Sequence, residues 1–153
     1  MTSALIVTRH STLIHRGVEE VYRFIAVDFF LNYRKWSPEV SELKQITAGA
    51  MRVGVTGRQI RYDHGFRSEA TFRVTRMTAM QDLRFASLTG PEFDVGYRFE
   101  PVGTDTRVIF DFRLRLPLYA LPVRKRVKST VEHGGRRVVS NLRALLDPAE
   151  CRT

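Results

Sequence analysis

The stretch Phe66-Arg-Ser-Glu-Ala-Thr-Phe-Arg-Val74 alternates between two kinds of side chain. Apolar or small residues occupy every second position, and polar or charged residues occupy the positions between them. Because successive side chains of a strand point to opposite faces, this period of two predicts a strand with one buried and one solvated face. The stretch Val108-Ile-Phe-Asp-Phe-Arg-Leu114 repeats the pattern. Together they predict an antiparallel sheet.

The same apolar face continues through most of the segment between Val53 and Leu116. Each large ring on it can bury about 150–250 Å², worth about 4–6 kcal/mol at about 25 cal/mol per Å². The eight rings exceed what one helix fills easily, so we expect a curved sheet, a single covering helix and a cavity between them. The stripe consists of Phe66, Phe72, Val74, Leu83, Phe85, Phe93, Val95, Tyr97, Phe99, Val108, Phe110, Phe112 and Leu114.

The remaining periodicity gives the order of the elements. Residues 4–14 predict a first strand, and spacings of three and four from Val18 predict a short helix. A second short helix is expected over residues 29–35, ending before Pro38. Six further strands follow from Val40, with turn signals about every ten residues, and residues 123–147 predict a long helix. The chain is therefore expected to form one α+β domain over residues 1–153.

Two adjacent glycines, Gly134 and Gly135, lie inside the long helix, where each costs about 1 kcal/mol relative to alanine. Gly134 falls on the same face as the apolar residues Val127, Val131 and Val138. Two interpretations account for the pair: a kink or close contact between helix and strand, or extra volume over the sheet.

The formal net charge of +9 is compatible with nucleic acid, anionic lipid or an acidic ligand. Arginines at alternate strand positions predict a solvated outer sheet face. A denser basic run, Arg124, Lys125, Arg126 and Lys128, lies at the start of the long helix, where cations oppose the helix dipole. We expect this run to be available to an anionic membrane surface. The aromatic side chains needed to stack on bases face the core instead, which argues against a nucleic-acid partner.

Several classes of protein are not expected. No apolar stretch reaches the about 20 residues of a spanning helix, and the N-terminus lacks the basic region of a signal peptide, so a cytoplasmic location is predicted. The single cysteine, Cys151, precludes an intramolecular disulfide. The four histidines show no metal-ligand spacing, and no phosphate loop or nucleophile motif is present, so no metal and no cofactor are predicted. A solvated position is expected for the turn Asp63-His64-Gly65.

Several local motifs resemble the SRPBCC superfamily, of the START and Bet v 1 type, and specifically its polyketide cyclase/dehydrase and lipid-transport branch. The similarity covers nearly the whole chain. One departure is the link Val27-Asp28-Phe29-Phe30, where that branch has a short polar or proline-bearing link. The similar segments are Ile14-His-Arg-Gly-Val-Glu-Glu-Val-Tyr22, Asn32-Tyr-Arg-Lys-Trp-Ser-Pro-Glu-Val40, Leu83-Arg-Phe-Ala-Ser87 with Gly90-Pro91, and Tyr97-Arg-Phe-Glu-Pro101 with Gly103-Thr-Asp-Thr-Arg-Val108.

The resemblance implies a helix-grip fold, in which a curved seven-stranded antiparallel sheet wraps around a long C-terminal helix and two short helices join strands 1 and 2. It also implies a hydrophobic cavity for a lipid, polyketide, quinone or steroid, without implying a reaction.

A residue set for this cavity follows from the predicted inner faces. Arg61 shares a face with Val55 and Gln59, but the apolar residues on the opposite face leave two interpretations: a rim arginine, or an inward arginine that meets an anionic ligand group. Tyr97 is either a core tyrosine or a cavity hydroxyl. These two are the candidate catalytic residues. The predicted ligand-binding residues are Trp36, Val55, Gln59, Arg61, Ser68, Phe72, Phe85, Ser87, Tyr97, Phe99, Phe110, Phe112, Val131, Gly134 and Val138.

Two functions of different classes follow. The first is a binding or transport protein that holds a hydrophobic or amphipathic molecule by apolar burial, with one or two polar groups orienting it. The alternative is a polyketide cyclase, aromatase or dehydratase that uses the inward polar residues. Because few polar residues are predicted to face inward, the binding function is favoured.

Overall fold

The computed structural model describes residues 3–148, so Cys151 lies outside the described residues. The predicted order of one strand, two short helices, six strands and a long helix is confirmed. The strands are β1 (Ser3–Ile14), β2 (Val40–Gln45), β3 (Thr56–Asp63), β4 (Phe66–Thr78), β5 (Asp82–Ser87), β6 (Glu92–Val102) and β7 (Asp105–Pro117). The helices are α1 (Val18–Tyr22), α2 (Phe29–Trp36) and α3 (Arg124–Leu146), with a π-helical turn at Arg23–Val27 and a 3₁₀-helix at Leu118–Val123.

The seven strands form one antiparallel sheet in the order β1-β7-β6-β5-β4-β3-β2. Strands β2 to β7 are a meander, and β1 pairs with β7 along its whole length. The β3–β4 hairpin has a two-residue loop in which His64 and Gly65 have φ angles of 51° and 85°. Loops of this kind match the twist of the flanking strands. The hairpin places Asp63 opposite Phe66.

The concave face of the sheet is covered by the short helices α1 and α2 as well as by α3. The ring of Phe29, from α2, is fully buried and lies 6.1 Å from the ring of Phe72 and 5.1 Å from that of Phe85. Tyr22, from α1, packs edge-on against Phe99 at a centroid distance of 5.2 Å. The expectation that a single helix covers the face is therefore wrong, because the short helices fill part of it.

Helix α3 begins and ends within one residue of the predicted bounds. In its C-terminal half, Val139, Leu142 and Leu146 are buried. Leu145, which lies seven residues after Val138, is 36% exposed. The buried positions of a helix follow its period of 3.6 residues. A spacing of seven residues drifts away from that period, and so away from the buried face.

The two central glycines of α3 serve different purposes. A Cβ atom built on Gly135 would lie 2.6 Å from Cδ2 of His10, so this position makes the close contact between helix and β1. A Cβ atom on Gly134 would have no neighbour within 4 Å. Each of the two predicted interpretations therefore applies to one glycine: close packing at Gly135 and open volume at Gly134.

This difference predicts opposite outcomes for two neighbouring alanine substitutions. Both variants gain the same helix propensity, so their difference in stability isolates the clash with His10. We expect Gly135→Ala to be less stable than Gly134→Ala by about 1–3 kcal/mol, the usual cost of overpacking. Urea unfolding of both variants measures the difference, and equal stabilities would contradict the assignment of the close contact to Gly135.

Candidate functional site

A cavity of about 610 Å³ lies between the N-terminal half of α3 and the concave face of the sheet. Helix α3 forms one wall with Val127, Val131 and Val138, and the open space above Gly134 adds to the volume. The sheet forms the opposite wall, mainly with apolar side chains. Those apolar sheet residues are Phe66, Ala70, Phe93, Val95, Phe110, Phe112 and Leu114.

Nine residues of the predicted ligand-binding set line this cavity. Six of them occupy alternate strand positions on the concave face, and the other three lie on the side of α3 that faces the sheet. Arg61 is one of them, so its side chain faces the cavity. The nine are Gln59, Arg61, Ser68, Tyr97, Phe110, Phe112, Val131, Gly134 and Val138.

The other six predicted residues do not line the cavity. The rings of α2 cover Phe72 and Phe85. The ring of Tyr22 covers Phe99. The Ser87 hydroxyl accepts a hydrogen bond from the Phe93 backbone N–H at 2.9 Å. The short helices occupy that end of the sheet, so the rings of Phe72, Phe85 and Phe99 do not line the cavity, contrary to the prediction. The six are Trp36, Val55, Phe72, Phe85, Ser87 and Phe99.

The polar end of the cavity is built around Arg61. Its Nε and Nη2 atoms donate to the two carboxylate oxygens of Asp63, each at 3.2 Å. Both residues line the cavity, with 27% and 35% of their side chains exposed. The turn signals predict only a solvated position for Asp63. The spacing of two residues along one strand is the signal that could have placed it beside Arg61.

A second ion pair lies near the first. Glu39, which also lines the cavity, is 2.9 Å from Nη1 of Arg137 on α3. The two cations and two anions form a cluster with no net charge. Sequence reasoning missed Glu39 because it follows Pro38 in a loop, where the strand periodicity gives no facing.

Two tyrosines contribute neutral hydroxyl groups to the cavity wall. The hydroxyl of Tyr97 accepts a hydrogen bond from Nε1 of Trp36 at 3.1 Å, and both residues are buried. Tyr33, from α2, also lines the cavity and is buried. Burial is the largest cause that raises the pKa of both phenols, so each remains protonated at neutral pH.

The side-chain amide of Gln59 is 2% exposed, and its Oε1 atom is buried without a hydrogen-bond partner among the described residues. A buried polar atom without a partner costs about 1–3 kcal/mol. Because Gln59 lines the cavity, a bound molecule with a suitable donor would relieve this cost.

The opening of the cavity is partly apolar and partly basic. Phe66, at the end of the β3–β4 hairpin, is 79% exposed, and Arg126 of the basic run lines the opposite side. The adjoining 3₁₀-helix carries Tyr119, which is 87% exposed, and Leu118, which is 56% exposed. Sequence reasoning identified the basic run but missed the apolar residues that precede it.

Residues 3–148 contain no group of three or more histidine, cysteine, aspartate or glutamate side chains that could hold a metal ion. None of the helices described has both the length and the hydropathy needed to span a membrane.

The chain is similar to known proteins in its sequence family and in its fold. Residues 6–147 match the family model described as polyketide cyclase/dehydrase and lipid transport. No curated protein sequence matches the chain significantly.

Among solved structures, a START superfamily protein from Mycobacterium smegmatis has a TM-score of 0.77 at 14% identity and covers 92% of this chain and 97% of its own. The Zhui aromatase/cyclase from Streptomyces sp. R1128 has a TM-score of 0.77 at 12% identity, with 94% of each chain covered. Protein TTHA0849 from Thermus thermophilus has a TM-score of 0.75 at 19% identity, covering 92% of this chain and 96% of its own. At these identities the structures show the shared helix-grip fold alone.

The contact between Tyr97 and Trp36 predicts a specific stability effect. Replacing Tyr97 by phenylalanine leaves the buried Nε1–H of Trp36 without its acceptor, which should lower the free energy of unfolding by about 1–3 kcal/mol. Tyr62→Phe is the matched control, because Tyr62 is 48% exposed and should change stability little. Urea unfolding compares the two, and equal effects would contradict a buried role for the Tyr97 hydroxyl.

Proposed function

Since the chain belongs to the polyketide cyclase/dehydrase and lipid transport family, we propose that it binds a hydrophobic or amphipathic small molecule in the cavity between α3 and the sheet. The observation that carries the proposal is a largely apolar cavity of about 610 Å³ with a few polar groups at one end. Small-molecule sites typically have this size and composition. The ligand is a lipid, polyketide, quinone or steroid-like molecule.

Apolar burial supplies most of the binding free energy in this proposal. A ligand that buries about 300 Å² of apolar surface gains about 7 kcal/mol, before the loss of its translational and rotational freedom is subtracted. The apolar contacts come from Phe110 and Phe112 on β7 and from Val131 and Val138 on α3. The polar residues Gln59, Arg61 and Tyr97 orient the ligand.

A cyclase, aromatase or dehydratase is the second candidate. It is favoured by the protonated Tyr33 and Tyr97 hydroxyls, which line the same cavity as Arg61 and are suited to donate to a ketone oxygen. Mass spectrometry of the ligand after incubation separates the two functions. A carrier returns its ligand unchanged, whereas a dehydrating cyclase returns a product lighter by water.

We further propose that the cavity opening docks on an anionic membrane. The 3₁₀-helix that carries exposed Leu118 and Tyr119 directly precedes the basic run, so apolar side chains can enter the interfacial region while the cations meet lipid headgroups. This arrangement would bring the cavity opening to the lipid surface, where an apolar ligand is exchanged. The cytoplasmic location expected from the sequence stays a prediction.

Filling the cavity from α3 is expected to abolish binding. A phenylalanine at position 134 projects into open volume, so Gly134→Phe should remain folded and raise the dissociation constant for Nile red, a neutral fluorescent probe, at least about tenfold, equivalent to about 1.4 kcal/mol. Ser140→Phe introduces the same side chain on an exposed part of α3 and is the matched control. Unchanged binding by Gly134→Phe would contradict ligand binding in this cavity.

The membrane proposal predicts a loss of vesicle binding when the basic run is neutralised. Each cation near an anionic surface contributes about 1 kcal/mol, so replacing Arg124, Lys125 and Lys128 by alanine should weaken partitioning to phosphatidylserine-containing vesicles by about two orders of magnitude. Vesicle co-sedimentation at low and physiological salt measures the effect.

The matched control removes three arginines from the convex sheet face, Arg9, Arg73 and Arg98, all of which are exposed. An equal loss in this control would show that net charge alone drives binding and would contradict docking by the basic run. Binding of DNA, in place of vesicles, that is lost only in the first variant would favour nucleic acid instead.

A further inference from the structure

We propose that this cavity selects uncharged, hydroxyl-bearing amphipathic molecules over carboxylates, and that Asp63 sets this selectivity. The inference rests on the proposed function and adds the chemical class of the ligand. It depends on two features of the polar end. The cation Arg61 is already paired with Asp63, and Gln59 and Tyr97 have hydrogen-bonding capacity that is not used.

The first feature is the pairing of Arg61. An arginine in an apolar cavity would normally be the natural partner of a ligand carboxylate. Here two of its donors contact both carboxylate oxygens of Asp63 at 3.2 Å. A ligand carboxylate would have to approach Asp63 closely, and repulsion between like charges is strong where water is partly excluded.

The surrounding charges do not remove this repulsion. Glu39 lines the same cavity, and its own positive partner is Arg137. The remaining cation of the wall, Arg126, is exposed at the opening, where solvent screens it. A carboxylate held at Arg126 would also leave the buried polar groups of Gln59 and Tyr97 without a ligand partner.

The second feature is the unused hydrogen-bonding capacity of Gln59 and Tyr97. The buried Oε1 of Gln59 has no donor among the described residues. The Tyr97 hydroxyl accepts from Trp36, and none of the hydrogen bonds found within residues 3–148 uses its own proton. A ligand hydroxyl or phenol has both a proton to donate and lone pairs to accept, whereas a carboxylate has no proton to offer Gln59.

The test compares 2-naphthol with 2-naphthoate, two ligands that share a ring system and differ in charge at neutral pH. Titration calorimetry with the full chain should show tighter binding of 2-naphthol. In Asp63→Asn the guanidinium of Arg61 loses its anionic partner, so the preference for 2-naphthol over 2-naphthoate should fall about tenfold through a gain in naphthoate affinity. Asp63→Ser serves the same purpose if the asparagine variant does not fold.

Two controls isolate the cause. Glu100→Gln removes one negative charge from a side chain that is 44% exposed and does not line the cavity, so it should leave the preference unchanged. Adding Arg61→Gln to Asp63→Asn should remove the gain in naphthoate affinity, because the freed cation is no longer present.

The outcomes separate the two levels of proposal. Tighter binding of 2-naphthoate by the wild-type protein, or an Asp63→Asn preference within about twofold of wild type, would overturn the selectivity inference and leave cavity binding intact. Failure of both compounds and of Nile red to bind the wild-type protein would overturn the proposed function and the selectivity inference together.

Discussion

The packing of Phe29 against Phe72 and Phe85 determines where the sheet is filled and where it is hollow. These rings occupy one end of the concave face, so α3 does not need to approach the sheet closely along its whole length. Its C-terminal half packs into the core through Leu142 and Leu146, and its N-terminal half stands over open space. The cavity is therefore a consequence of the unequal covering of the concave face by the helices.

The electrostatics of the cavity follow from the same arrangement. Strand β3 carries Arg61 and Asp63 on one face, and the β3–β4 hairpin fixes them near the cavity opening. Because Arg61 and Asp63 form an ion pair, the polar end provides hydrogen-bonding groups without a net charge. Such a surface orients a polar, uncharged group, while the apolar remainder of the wall supplies affinity.

Most of the fold was predictable because it depends on local periodicity. The alternation from Phe66 to Val74 and the spacing of three and four from Val18 each report directly on an element. The division of the concave face was not predictable in this way. Phe29 and Phe30 stood out only as a departure from the family pattern, and the contact of Phe29 with Phe85 joins residues far apart in sequence. For that reason the rings of Phe72 and Phe85 are covered by α2 instead of lining the cavity as predicted.

The polar residues of the cavity show a second limit of prediction from the sequence. Gln59 and Arg61 could be assigned to the cavity face from strand alternation, but Asp63 was assigned to a turn, although it ends β3 two residues after Arg61. Glu39 lies in a loop, where no periodicity fixes its direction. The net charge of the site depends on which anions pair with its arginines. The sequence alone therefore left open an anionic ligand at Arg61, whereas the pairing of Arg61 with Asp63 argues against one.

Native mass spectrometry of the purified protein is the most direct test of ligand binding in the cavity. We expect a population that carries one retained organic molecule, released on denaturation and identified as an amphipathic compound without a carboxylate. A protein that is always empty and takes up no amphipathic compound added to it would contradict ligand binding in this cavity.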